Sequence, residues 1–319
     1  MADVAAETYE ELGVAPARSP FWSAMRRLFR KKIAVLALAA IIVFYFVGFF
    51  VPVIAPHSYT AQDLANVRQG PSLAHPFGTD DLGRDMLSRV MWASRTTVVV
   101  TLATLFTGGL VLSVGLGLLS GYAGRWVDTL IMRVGDVFFA LPGLPMLILI
   151  NASLGDRVRD WGWLKTLEDW LKIDGFSDYF VVFAALSLFA WVGGARVIRS
   201  QVLALRETEY VTAARAMGAS TWRIIFQHLL PNVSNIVIVG LSASLGGIAG
   251  SEIALTWFGV GVQPPTPSFG EMLFQGGSIR TLQSVPQLLL IPGAVVGVLI
   301  FSFNLLGDAL TDILTPRAR

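Results

Sequence analysis

The sequence predicts an all-α integral membrane protein with six transmembrane helices. Three observations carry that prediction. Hydrophobic residues fill 54% of the 319 positions and charged residues only 14%, against about 25% charged in an ordinary soluble domain. Mean hydropathy is +0.63. Six apolar runs, at roughly 33–54, 97–121, 129–153, 179–200, 233–258 and 286–311, each approach the ~20 helical residues that cross a hydrocarbon core of about 30 Å. Cysteine is absent, so disulfides and thiolate ligands are excluded. A net charge of +2 is too small to argue for nucleic acid. The three histidines, His57, His75 and His228, show no metal-ligand spacing, so no metal site is expected.

The chain divides into a cytoplasmic segment, 1–32, and a transmembrane domain, 33–319, with no obvious internal repeat. Residues 1–18 are polar and carry Asp3, Glu7, Glu10 and Glu11, and no cleavage pattern follows the first apolar run. That run reads as a retained anchor. Before it, Ser19 suits an N-cap and Pro20 a first helical position. Phe21, Trp22, Met25, Leu28 and Phe29 share one helical face, and Arg26, Arg27 and Arg30 turn away from it. This pattern predicts an amphipathic helix in contact with membrane lipid at the inner interface. The plainer reading is a basic flank that only fixes topology.

Charge placement sets the orientation. If the N-terminus is cytoplasmic, 15 of the 24 lysines and arginines fall in inside segments, six of them before the first span. Both termini are therefore expected inside.

The loop after the first span, from Pro56 to Thr96, is long. It contains His75-Pro-Phe-Gly-Thr-Asp-Asp-Leu-Gly-Arg-Asp-Met-Leu-Ser-Arg89. Thr79 is expected to cap a helix that begins with Asp80 and Asp81. Asp80–Arg84 and Asp85–Arg89 are spaced as exposed i,i+4 pairs, each worth about 0.3–0.5 kcal/mol. By physics alone this is an ordered external cap on the bundle, and contact with a delivery protein or part of an outer gate is the functional alternative. The segment closely resembles the His-Pro-x-Gly-Thr-Asp-x-x-Gly-Arg-Asp motif of the second permease in dipeptide and oligopeptide ABC importers. The matching positions include Gly78, Asp80, Gly83, Arg84 and Asp85, and Asp81 stands at a free position inside the motif.

The third run carries Pro142 and Pro145, which predict a kink. Segment 154–178, with Trp161, Trp163 and Trp170, reads as an external interfacial helix.

A polar island, Glu209-Tyr-Val-Thr-Ala-Ala-Arg-Ala-Met-Gly-Ala-Ser-Thr-Trp-Arg-Ile-Ile-Phe-Gln-His-Leu-Leu-Pro-Asn232, separates the fourth and fifth runs. A short helix from Thr208 or Glu207 to Met217 is expected to end at Gly218, and a second to run from Thr221 to a stop at Pro231. Together they predict a compact cytoplasmic knob within 207–232. Its spacing resembles the loop by which permeases of bacterial ABC importers engage their ATPases. Ala213, Ala214, Gly218, Leu230 and Pro231 match, Thr212 stands where a Glu is usual, and His228 where an Ile is usual. The resemblance implies that Glu209, Thr212, Ala213, Ala214, Arg215, Gly218 and Ala219 form the ATPase-coupling surface.

Glu252 lies in an otherwise apolar or small run, where a mid-membrane charge costs about 2.5–3.5 kcal/mol. It is expected to line the pathway or hold an outer gate, or else to form an ion pair with an arginine of the 84–95 segment. Gly246, Gly247 and Gly250 permit close helix packing, and Pro264, Pro265 and Pro267 are expected to end the helix. The stretch 251–273 resembles a third segment of the same peptide-permease family.

No lysine follows a glycine, so no Walker P-loop is present, and no catalytic arrangement is readable. The resemblance implies a permease in the bacterial cytoplasmic membrane that forms half of a peptide pathway and is not itself an enzyme. It implies a second permease, two ABC ATPase subunits holding ATP and Mg²⁺, and an extracytoplasmic substrate-binding protein. This chain is expected to bind no cofactor. The alternatives are the same importer carrying nickel, glutathione or sugars, an ATP-independent secondary transporter, or a membrane scaffold.

Overall fold

The computed structural model describes residues 26, 28–171, 173 and 175–314. The expected interfacial helix at 19–32 lies largely outside the described residues. Helix α1 (Lys32–Ile54) is followed by a loop and then by α2 (Met86–Tyr122). Next come α3 (Arg125–Ala140), α4 (Gly143–Arg159), α5 (Gly162–Leu171) and α6 (Phe176–Leu205). The short α7 (Glu209–Ala216) precedes α8 (Thr221–Trp257). Finally α9 (Phe269–Gly276) and α10 (Ile279–Ser284) lead to α11 (Gln287–Leu314). No strand occurs among the described residues.

Among the described residues, five helices are long and apolar enough to cross a membrane, and α3 with α4 makes the count up to six. The third run is a broken span. Its halves meet at 92°, with Leu141 and Pro142 extended between them. Pro142 caps α4, whereas Pro145 sits in the first turn of α4, where its missing N–H costs no internal hydrogen bond.

Only 17% of the most apolar window of α1 is buried. Leu36, Val43, Phe46 and Phe50 are exposed, an apolar face suited to lipid rather than to water. The other face of α1 packs on α2 and α11. A tight approach joins α2 to α6. A Cβ at Gly108 would lie 2.8 Å from Ser187 Cα, and one at Gly117 2.9 Å from the Ala195 carbonyl oxygen. The Gly246–Gly250 cluster contributes less. A Cβ at Gly246 would meet Phe303 at 3.3 Å, but one at Gly247 would meet nothing within 4 Å.

The core separates along α2. Near its start, Met86, Val90 and Val98 pack with Ile253, Phe269, Met272 and Phe303. Near its end, Val114 and Leu118 pack with Ile198, Val202, Val211 and Leu229. At 37 residues, α2 holds these clusters apart on a rod of roughly 50 Å. The external-loop motif thus sits at one end of the bundle and the polar island at the other.

Candidate functional site

At the island end, the expected short helix forms. Thr208 is its extended N-cap, and α7 ends with Met217 as C-cap. Gly218 follows with φ +83°. The Gly218 N–H donates to the Arg215 carbonyl and the Ala219 N–H to the Ala214 carbonyl, both at 3.0 Å. This paired closure is the Schellman arrangement, for which glycine is the usual residue. Val211 and Ala214 are buried, so Ala214 packs inward and is not a contact surface. Glu209, Thr212, Ala213, Arg215 and Gly218 are exposed and Ala219 is half-buried. The Arg215 guanidinium lies 5.7 Å from the Tyr122 ring centroid, and Arg206 Nη1 donates to the Gly121 carbonyl at 3.1 Å. Both contacts seat the knob on the end of α2.

Pro231 does not stop the second helix. Thr221 to Trp257 is one continuous rod that passes through a π-helical segment at Ile224–Leu229. There the Leu230 N–H reaches back five residues to the Ile225 carbonyl. A wider turn just ahead of a proline absorbs its missing donor and ring bulk. The knob is therefore one short helix braced on the start of a span. Trp222 and Phe226 stack on its exposed side, with centroids 5.7 Å apart, and neighbouring Met217 is 82% exposed.

At the other end, the expected helix start at Thr79 is displaced. Helix α2 begins at Met86, and Asp85 is its N-cap, accepting from the Ser88 N–H. Gly83, with φ +71°, explains the displacement. A Cβ there would stand 1.8 Å from the Asp63 carbonyl oxygen, so the chain turns here in a conformation only glycine fills. Gly78, at φ +78°, makes the same close approach to Gln69. Asp80 Oδ1 accepts the Leu82 and Arg84 N–H groups at 2.9 Å each. Its Oδ2 accepts from Arg84 Nε at 2.7 Å and from Arg89 Nη1.

The Asp80–Arg84 pair is thus real but buried, and it belongs to a turn rather than to an exposed helix face. The spacing pair Asp85–Arg89 does not form. Arg89 goes instead to Asp80, to Glu271 at 3.3 Å and to Gln275 at 3.2 Å. Asp81 lies outside this cluster, exposed and paired with Arg68 at 2.6 Å. Burial pushes the Asp80 carboxyl upward, but the Arg89 charge, the two amides and Arg84 outweigh it and hold it below the usual carboxylate value. Sequence reasoning missed Arg89, Glu271 and Gln275 as one cluster. The i,i+4 spacing assigns Arg89 to Asp85, and no sequence signal ties it to Glu271 and Gln275.

Glu252 is fully buried. Thr97 Oγ1 donates to its Oε2 at 2.9 Å, and Thr256 Oγ1 approaches its Oε1 at 3.4 Å. The ion pair with an arginine of the 84–95 segment is not formed. Arg84 and Arg89 are engaged as above, and Arg95 sits over Trp92. The α8 helix ends at Trp257, before the prolines. Gly259, at φ +76°, closes it, with Gly259 N–H to the Thr256 carbonyl and Val260 N–H to the Leu255 carbonyl. Between α2, α6 and α8 lies a cleft of about 280 Å³. Gly109, Ser113, Gly193, Gly194, Gly240 and Ser244 line it together with aliphatic side chains such as Val197 and Ile236.

Comparison with known proteins places this architecture. Residues 113–319 match the family described as the inner membrane component of binding-protein-dependent transport systems. Residues 19–71 match the N-terminal transmembrane domain of oligopeptide transport permease C. The chain belongs to this permease family. It is 34% identical to the dipeptide transport system permease protein DppC of Alkalihalophilus pseudofirmus, over 94% of this chain and 91% of that protein. It is 31% identical to the oligopeptide transport system permease protein OppC of Bacillus subtilis, over 93% and 89%. It is also 31% identical to the glutathione transport system permease protein GsiD of Pectobacterium atrosepticum, over 95% and 93%. This permease is therefore a multi-pass inner-membrane transport subunit, and the resemblance carried by 75–89 and 209–232 extends over nearly the whole chain.

Proposed function

We propose that this permease forms half of an ATP-driven import pathway for di- and oligopeptides. The observation that carries the reading is the rigid knob of α7 and the start of α8, because a rotating ATPase needs a lever rather than a loop. The Gly218 closure fixes the angle between the two pieces. The inward packing of Val211, Ala214 and Ile224 holds them to the bundle. Two ATPase subunits would supply ATP and Mg²⁺, with one docking on the exposed Ala213, Arg215 and Trp222 surface. Both termini and the knob then lie in the cytoplasm. The loop before α2 faces outward, where a substrate-binding protein delivers cargo.

A second permease would close the cleft between α2, α6 and α8 into a pathway. Because Glu252 is fully enclosed within this subunit, its role is to lock α2 to α8 at the outer gate rather than to wet the pathway wall. Peptide is favoured as cargo by the relatives' names, and glutathione, a tripeptide, is the neighbouring choice.

The test is uptake of labelled di- and oligopeptides by cells with and without this chain, with ATP depleted in a parallel sample while the proton gradient is kept. Chain- and ATP-dependent accumulation is expected. Gradient-driven uptake without ATP would replace the importer reading with a secondary transporter. ATP-dependent uptake of glutathione, nickel or sugar alone would keep the architecture and change the cargo.

A further inference from the structure

We propose that His57, His75 and Asp85 form a binding site for a divalent transition-metal cation, Zn²⁺ being the type ion. Nothing in the spacing of these residues announces it, because 18 and 10 positions separate them. The fold nevertheless gathers one ligand atom from each within 4.8 Å of the others. The two imidazole centroids are 5.0 Å apart. Around a tetrahedral ion with bonds of about 2.1 Å, ligand atoms stand ~3.4 Å apart. His75 Nδ1 and Asp85 Oδ1, at 3.0 Å, are already near that edge length.

The ligands are held from behind. Asp85 Oδ2 accepts from the Ser88 N–H at 2.8 Å and from Ser88 Oγ at 2.7 Å. The His57 N–H donates to the same Ser88 Oγ at 3.1 Å. One serine in the first turn of α2 thus anchors two of the three ligand residues, which is the outer-shell support that metal ligands require. Asp85 is buried, His75 half-buried and His57 exposed, so the site opens on one side only.

In the metal-free geometry, His57 Nε2 donates to the Ala74 carbonyl at 3.2 Å, and His75 Nδ1 donates to Asp85. Each neutral ring therefore keeps one nitrogen lone pair. The cation enters between His75 Nδ1 and Asp85, the Nδ1 proton moves to Nε2, and the exposed His57 ring swings to supply the third ligand. Two imidazoles and a carboxylate, with no thiolate in the chain, suit zinc and its neighbours better than Mg²⁺ or Ca²⁺. The bound ion would join the exit of α1, the end of the outer loop and the cap of α2. This inference is independent of the cargo and of the ATPases.

The test uses the full purified chain, carried on a tag without histidine, titrated with Zn²⁺ and assayed for bound metal after dialysis. One equivalent is expected. His57→Asn and His75→Asn should each weaken binding at least tenfold. Asp85→Asn keeps an acceptor for the helix cap and should also weaken binding. His228→Asn, in the π-helical segment of α8, should change nothing. Substitution with Co²⁺ should give visible absorption that vanishes in the His57→Asn/His75→Asn chain. Absence of stoichiometric Zn²⁺, or binding that survives in that double variant, would overturn the site. Because His57 is exposed, its substitution leaves the fold intact and the result interpretable.

Discussion

At the scale of single residues, Asp80 and Arg89 show how the external motif works. Both side chains are nearly inaccessible to water, and Asp80 satisfies two amides and two guanidinium groups at once. Removing one partner of a buried pair strands the other. Asp80→Asn should therefore cost about 3 kcal/mol, near the lower end for such pairs because Glu271 still faces Arg89. A thermal melt of the detergent-solubilised chain measures it. The folded carboxyl sits below its usual value, so its contribution is full above about pH 4 and fades as pH falls through the folded value. The acid-induced loss of melting temperature should be smaller in Asp80→Asn than in the parent. Glu252 differs, because its partners are hydroxyls. Glu252→Gln retains an acceptor for Thr97 and should melt within about 1 kcal/mol of the parent, whereas Glu252→Leu leaves the buried Thr97 hydroxyl unpaired at about 1–3 kcal/mol, the Thr256 hydroxyl keeping the backbone carbonyl of residue 252. If Glu252→Leu, which lacks the acceptor for Thr97, transports and assembles normally, the gate role fails. The Asp80–Arg84 pair was visible in the sequence, but the role of Arg89 was not, since Arg89 and Glu271 are 182 positions apart and only the tertiary fold joins them.

At the scale of elements, boundaries follow backbone conformation more than proline. Gly218 was legible because one local requirement, a left-handed residue after a short helix, decides it. The ends of α8 were not. Pro231 sits within a continuous helix because a π turn precedes it, and Gly259 closes the other end five residues before Pro264. Likewise the start of α2 depends on a contact of Gly83 with distant Asp63, which no local pattern reveals. The knob yields a paired prediction. A Cβ at Gly218 would meet nothing within 4 Å, so Gly218→Ala pays only the left-handed backbone cost of about 1–2 kcal/mol and should fold and insert. Gly218→Trp adds bulk at the exposed corner between α7 and α8. It should also insert, yet uncouple ATP hydrolysis from uptake in the reconstituted transporter. Normal peptide uptake by the Trp variant would remove the coupling role from this element.

At the scale of the whole molecule, composition alone was enough to establish a membrane bundle, because lipid requires helices whose apolar faces point outward. What composition could not supply is which face stays free of lipid. The exposed side of α1 carries Leu, Val and Phe, whereas the cleft between α2, α6 and α8 intersperses Gly, Ser and Ala with Val, Ile and Leu. A second concavity of about 410 Å³ continues along α8 past Ser244, Gly247 and Ser251. The glycines and serines among the aliphatic side chains open a concave strip along α8, which fits the wall of a pathway completed by a second permease. A Cβ at Gly193, Gly240 or Gly247 would touch nothing within 4 Å, which means that none of these glycines is demanded by packing inside the subunit. Gly240→Trp should therefore leave insertion and melting temperature within a degree or two of the parent and abolish uptake, because its ring fills the cleft. Gly117→Trp serves as the contrast. A Cβ there already stands 2.8 Å from Ile198, so the ring collides with α6 and the bundle itself should fail to assemble. Equal uptake by Gly240→Trp and the parent would move the pathway off this face, whereas loss of uptake with an unchanged melt assigns the cleft to transport and separates it from the glycines that only hold α2 against α6.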